Sequence, residues 1–214
     1  YTAKYPFTIN PTLVSLKKTT GYSKQGLFDK SFGELHLTWS DDLELTGAQE
    51  YIPLVTGSKR VYQGYHSPVF VDENKIVAVK TSLSLTPRIV LIGRADSSES
   101  LLHVPGAIYP YQISASNDKV VWVETVTDPR WDQRSYSIVK ILDIKTKRVK
   151  KLTSKTRYLS ASISSEGKYI AAIENSVDNQ NRVDLIDPFN GSIIASYPAP
   201  GNVYLQRPQW SVQN

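Results

Sequence analysis

Cysteine is missing from all 214 residues, which excludes a disulfide framework, a thiolate metal site and a thiol nucleophile. No run of about 18 apolar residues occurs, so no helix of this sequence is expected to span a membrane. Nor does a basic start followed by a short apolar core read as a signal peptide. The chain opens at Tyr1 without Met, which reads as a processed or excised segment. Histidine is scarce, at His36, His66 and His103, and around His36 there is no second His four residues away, as a His-Glu-x-x-His zinc helix would need. All three read as structural or surface histidines. Gly-x-Ser-x-Gly is absent, which removes the nucleophile-elbow type of serine catalysis. Gly64, Gly93 and Gly106 stand singly, so no glycine-rich phosphate loop is built. On these grounds no cofactor, no metal site and no catalytic residue is expected.

What is present is a repeat. Lys75-Ile-Val-Ala-Val-Lys-Thr-Ser, Lys119-Val-Val-Trp-Val-Glu-Thr-Val and Lys168-Tyr-Ile-Ala-Ala-Ile-Glu-Asn each start a mostly apolar strand, and the starts lie 44 and 49 residues apart. Each is preceded by a short strand closed with a polar turn and followed by a third strand, Arg88-Ile-Val-Leu-Ile, Ser137-Ile-Val-Lys-Ile-Leu-Asp and Arg182-Val-Asp-Leu-Ile-Asp. Outermost strands are expected at Glu99–Val104, Arg148–Thr153 and Ser192–Tyr197, after turns at Asp96-Ser-Ser, Lys145-Thr-Lys and Asn190-Gly191. A period near 45 residues carrying four strands is that of propeller blades.

The fold class is therefore all-β, a partial β-propeller of three four-stranded blades plus the first strand of a fourth, preceded by one α-helix. Blades are placed at 62–106, 107–154 and 155–201. The next starts at 202–214, and Arg207-Pro-Gln-Trp-Ser is expected to form an inner strand over 207–212. Residues 1–50 form a helical leader, with Tyr5-Pro-Phe-Thr-Ile-Asn-Pro extended or turning. A helix over 24–41 is capped by Ser23, with Phe28, Phe32, Leu35 and Trp39 at spacings of three and four. Closed propellers use about four to eight blades, so the remainder of a parent chain is needed to close the ring.

The run Leu152-Thr-Ser-Lys-Thr-Arg-Tyr, the turn Ser164-Ser-Glu-Gly before Lys168-Tyr-Ile-Ala, and Val183-Asp-Leu-Ile-Asp before Asn190-Gly191 resemble the TolB-like propeller repeat. The turn departs from that family's Ser-Pro-Asp-Gly pattern, and in the first two blades it shrinks to Asp72-Glu-Asn and Asn117-Asp. The Tyr-Pro-Phe-Thr-Ile-Asn-Pro leader, with Asp128-Pro-Arg-Trp and Arg134-Ser-Tyr-Ser, is similar to large extracytoplasmic proteins of the Bacteroidetes in which a propeller follows a peptidase-like domain. The resemblance implies a periplasmic or cell-surface setting.

Asp128, Arg130, Trp131 and Arg134 form the densest polar and aromatic cluster, in the long loop between the second and third strands of the middle blade. Arg and Trp there suit a recognition loop. The competing expectation is structural, with Trp131 buried between blades and Arg130 or Arg134 paired to Asp128 or Asp132. Phe70 and Tyr111, near the inner strands, could line a glycan or small-ligand site at the ring's centre, the competing reading being that they pack between blades. The net charge of +5 comes from 25 basic and 20 acidic residues. The only basic run, Lys145 to Lys155, reads as a solvated edge, and without interleaved stacking aromatics no nucleic-acid partner is expected. The function that follows is a non-catalytic interaction scaffold for a protein or peptide partner. Its alternative is an accessory propeller gating or positioning substrate for a peptidase domain outside these residues.

Overall fold

The computed structural model describes residues 11–46, 53–55, 61–131 and 133–211. The chain falls into two units, residues 1–53 and 54–214, each described by itself. The first holds two helices, where the sequence pattern predicts one over 24–41: α1 spans Pro11–Thr20 and α2 spans Lys24–Thr46. Proline suits the first helical position because the missing N–H would have no intrahelical partner there. Lys17 and Lys18 sit in the last turn of α1, where cations favour the helix dipole. Gly21 then takes φ +78°, and Ser23 Oγ accepts the Gly26 N–H at 3.0 Å, capping α2. The segment Tyr5–Asn10, read as an extended lead-in, lies outside the described residues.

The second unit is three four-stranded antiparallel sheets, a partial β-propeller. The first sheet is β1 (Gln63–Asp72), β2 (Lys75–Ser82), β3 (Arg88–Gly93) and β4 (Glu99–His103). The second is β5 (Ile113–Ser116), β6 (Lys119–Thr127), β7 (Ser135–Asp143) and β8 (Val149–Lys151). The third is β9 (Tyr158–Ile163), β10 (Ile170–Asn175), β11 (Asn181–Ile186) and β12 (Ile193–Pro198). In each sheet the strands lie in chain order, and the inner strands β1, β5 and β9 are neighbours in turn.

The near-continuous apolar runs follow from this stacking. Successive side chains of a strand point to opposite faces, and the middle sheet is covered on both. Val120, Trp122 and Leu142 pack with Val77, Val79 and Ile89 of the first sheet. Val121, Val139 and Ile141 pack with Ile163, Ile170 and Ile186 of the third. On the first sheet's other side, Ala78, Val90 and Ile92 are covered by Leu54, Val55 and Tyr65.

Polar links fasten one blade to the next. Ser116 Oγ donates to Ser165 O at 2.7 Å, and the Ile163 N–H donates to Ser114 Oγ at 3.1 Å. The basic run, read as a solvated edge, is partly a set of clasps. Lys147 Nζ donates to Leu101 O of the first sheet at 2.9 Å, and Lys150 Nζ donates to Phe189 O of the third at 2.5 Å.

The turns between third and fourth strands repeat one geometry. Gly93, Asp143 and Asp187 donate N–H to the carbonyls of Ser98, Arg148 and Ser192, and each turn carries a positive φ at Ser97, Lys147 or Gly191. Only at the last is glycine required for two reasons, since φ is +81° and a Cβ would collide with the Leu152 carbonyl of the neighbouring blade.

The expected fourth-blade strand is not formed among the described residues: 203–211 carry no strand pairing, and residue 212 lies outside them. Instead Trp210 Nε1–H donates to Ser162 O at 3.0 Å, and its ring stacks on Tyr169 with centroids 6.5 Å apart.

Candidate functional site: the tip of the long middle hairpin

The β6–β7 hairpin is longer than its counterparts. Its pairing runs from Lys119↔Asp143 to Thr127↔Ser135, whereas β2–β3 stops at Lys80↔Arg88 and β10–β11 at Asn175↔Asn181. The extra stretch is rich in strand formers, Thr125, Val126, Thr127 and Tyr136. It is braced on both sides, because the Thr125 N–H donates to Ala107 O and the Ser137 N–H to Thr156 O, each at 2.9 Å.

The loop at its tip is pinned by its own backbone. The Asp128 N–H donates to Arg134 O at 2.8 Å, and the Arg134 N–H donates to Trp131 O at 2.9 Å, closing a tight turn. Asp128 Oδ1 accepts the Arg130 N–H at 2.9 Å across Pro129, an Asx-type turn, and Oδ2 accepts the Tyr136 hydroxyl at 3.2 Å. The Arg130 N–H, with the Tyr136 hydroxyl and nearby Arg134, holds the Asp128 carboxyl below the usual carboxylate range.

The expected burial of Trp131 is corrected, and so is the expected pairing of an arginine to Asp128. Trp131 is 60 % exposed and plugs no blade interface, because the extended hairpin carries it past the packed part of the sheets. Asp128 is satisfied by a backbone N–H and a phenol rather than by a guanidinium. The Arg134 guanidinium instead lies over the Tyr136 ring at 5.3 Å, a cation–π contact. Asp132, the other proposed acid, lies outside the described residues.

The structure therefore brings Asp128, Arg130, Trp131 and Arg134 together on one groove of about 530 Å³, joined there by Lys151 at the end of β8 and Lys155 in the β8–β9 connection. The two lysines were legible only as part of the basic run. Their meeting with the loop is set by topology, since the second-to-third turn and the fourth-to-first connection fall at the same end of a blade.

The other candidates disperse. Phe70 lines a groove of about 460 Å³ with Trp210 and Ser116, while Tyr111 packs on His66 at 4.9 Å, so the two do not share a site. His36 faces Ser40 on α2, and His66 Nε2 meets Thr81 Oγ1 at 3.0 Å. His103 lies against Trp122 at 5.6 Å, where burial pushes its ring below the usual histidine value. Among the described residues no three His, Asp or Glu side chains gather as a metal set would.

Two buried polar clusters were missed from sequence. In the middle blade Glu124 takes Lys140 Nζ at 2.6 Å and Trp122 Nε1–H at 3.1 Å. Burial pushes this carboxyl up, but those donors outweigh it and hold it low. In the third blade Asp184, wholly buried, accepts from Tyr158 at 2.9 Å and Ser196 at 2.6 Å, and Arg182 bridges it to Glu174. The strand period of two was the available signal, since it places Trp122 and Glu124 on one face of β6, and Arg182 and Asp184 on one face of β11. Each acid is already engaged by donors, which is how buried charges are held in place rather than offered to a substrate.

No protein-family model matches the chain, and no curated protein does. Solved structures similar to it include TolB from Acinetobacter baumannii, at 18 % identity and TM-score 0.48 over 61 % of this chain and 31 % of that one. The β-propeller domain of the Trilobed protease from Pyrococcus furiosus matches at 15 % and 0.46 over 68 % of this chain and 45 % of that one. The acylaminoacyl peptidase of Pyrococcus horikoshii matches at 14 % and 0.45 over 65 % and 25 %. The chain thus spans less than half the length of each of these proteins.

Proposed function

We propose that this chain is a non-catalytic β-propeller segment of a larger extracytoplasmic bacterial protein, and that it works as an interaction scaffold whose contact is the 128–134 loop. The observation that carries the reading is Trp131: a large aromatic side chain held 60 % exposed on a loop closed by its own hydrogen bonds. Exposed, preordered Trp and Arg residues are the types that dominate binding energy when a partner covers them. The buried ionisable groups are meanwhile engaged in ion pairs within their own blades. Closure of the ring by further blades belongs to the same proposal, as do the blade limits near 62–106, 107–154 and 155–201.

The test is a photo-crosslinking residue placed at position 131 of the full-length parent protein in its native cells, with position 189 as control. Phe189 is also exposed, at 83 %, but sits in a hairpin at the other end of its blade. A discrete protein adduct from 131 and none from 189 is expected. An adduct within the parent chain itself would turn the reading to an accessory propeller serving a neighbouring domain, and no adduct at 131 would reject the scaffold role.

A further inference from the structure

We infer that the groove beside Trp131 binds an acidic, extended peptide segment in which an apolar side chain sits between carboxylates. This rests on the reading of the loop as a partner contact and gives that partner its chemistry. Arg130, Arg134, Lys151 and Lys155 all line the groove, against one carboxylate, Asp128, among its described residues. That carboxylate is turned inward onto the Arg130 N–H and the Tyr136 hydroxyl. Among the described residues none of the four cations forms an ion pair, whereas Lys80, Lys140 and Arg182 do.

The apolar part of the site is narrow. Trp131 and Val126, 60 % and 38 % exposed, offer one apolar strip flanked by cations, which fits one apolar side chain flanked by acids. The guanidiniums can take carboxylates in bidentate fashion, and Arg134 is already oriented by the Tyr136 ring beneath it. A volume of about 530 Å³ suits a few side chains rather than a folded surface. Nucleic acid fits less well. Successive bases need successive stacking rings, and only Trp131 is free for that, since Tyr136 is half-buried with a face taken by Arg134.

The experiment uses the intact chain and fluorescence anisotropy of a labelled short peptide of alternating Glu and Asp around one central Leu. A Lys-Leu peptide, single-stranded oligodeoxythymidine and anionic phospholipid vesicles serve as competitors of other classes. The acidic peptide is expected to bind, and to weaken at least about tenfold between roughly 0.05 and 0.5 M salt. The double substitution Arg130→Glu with Arg134→Glu should lower affinity at least about tenfold, and Trp131→Ala about three- to tenfold. Lys168→Glu, in the opposite turn of the third blade, should leave binding unchanged and report that added negative charge alone is not the cause. Unchanged circular dichroism and unfolding midpoints show that the variants are folded. Failure of the acidic peptide to bind, equal binding of the oligonucleotide or vesicles, or indifference to the Arg130/Arg134 reversal overturns the inference. A crosslinked protein at 131 without affinity for acidic peptides would keep the scaffold and reject the acidic ligand. Peptide affinity without an adduct would do the reverse.

Discussion

Two tryptophans in one hairpin have opposite fates. Trp122, at the base of β6, is wholly buried, while Trp131, at the tip, is 60 % exposed. Residue type does not separate them; position relative to the neighbouring blades does. At Trp122 the strand is sandwiched between sheets, and the indole N–H finds Glu124. At Trp131 the hairpin has outrun its neighbours, and what holds the residue is backbone closure of the loop. The base of the hairpin is where apolar burial stabilises the fold, and the tip is where an aromatic ring is kept available.

The largest expected effect breaks this pair apart directly. Trp122→Ala should destabilise by about 3–5 kcal/mol, through lost burial plus a cavity, and leave Glu124 short of a donor. Trp131→Ala should change stability by no more than about 0.5 kcal/mol, as for exposed sites. Denaturant unfolding followed by circular dichroism measures both, and equal losses would erase the distinction between base and tip. Next in size is Gly191→Ala, expected to cost about 1–3 kcal/mol, the range for strain at a residue forced into an unfavourable backbone region, because its Cβ meets Leu152 O. The equivalent Ser97 already tolerates positive φ, so Ser97→Ala should not carry that strain; a similar loss at both would mean that the collision across blades is not the cause.

What the sequence made legible follows the same division. The blade period was readable because Val120-Val121-Trp122 faces sheets on both sides and so stays apolar without alternation, and because polar turns punctuate the apolar runs of all three blades. Trp131 was misjudged because a buried and an exposed Trp look alike locally; the deciding quantity is how far β6 and β7 extend past β3 and β11, which is a pairing length and not a composition. Helix α1 is not legible in the sequence, because Pro11 closes an extended stretch as readily as it serves at the first position of a helix. Trp210 kept its period but not its strand. Lys151 and Lys155 read as a solvated edge because nothing in the linear order shows that the β8–β9 connection comes back beside the 128–134 loop.

Smaller again is the effect of the third blade's buried phenol. Tyr158 is buried, and that burial, with the hydrogen bond to Asp184, pushes its hydroxyl well above the usual tyrosine value. A folded-state value raised above the unfolded one of about 10 stabilises at every pH below that, and the stabilisation is lost as pH climbs beyond it. The native protein should therefore lose stability in the alkaline range above pH about 10. Tyr158→Phe should be less stable by about 1–2 kcal/mol at neutral pH, from one lost hydrogen bond to a buried acid, and should show less of the alkaline decline. Thermal unfolding across pH checks this, and parallel curves for the two proteins would mean that the phenol is not the titrating group.

The smallest effect concerns the tip and leaves global stability almost untouched. Asp128 sits below its usual value because the Arg130 N–H, followed by the Tyr136 hydroxyl and Arg134, favours the carboxylate. With the folded-state value depressed, its contribution to loop order is fully present above the ordinary value of about 3.9 and is lost as pH falls through the lower, folded-state one. Fluorine-labelled tryptophan observed by NMR separates this from general acid unfolding, with the Trp131 resonance assigned through Trp131→Phe. On acidification below the ordinary carboxylate range the Trp131 signal should shift or narrow as the turn loosens, while the Trp122 signal stays put until the blades unfold. Asp128→Asn removes the titration, so its Trp131 signal should not respond to acid in that window. If both tryptophan signals move together, the tip has no order of its own, and the exposed ring is held by the sheets rather than by the loop.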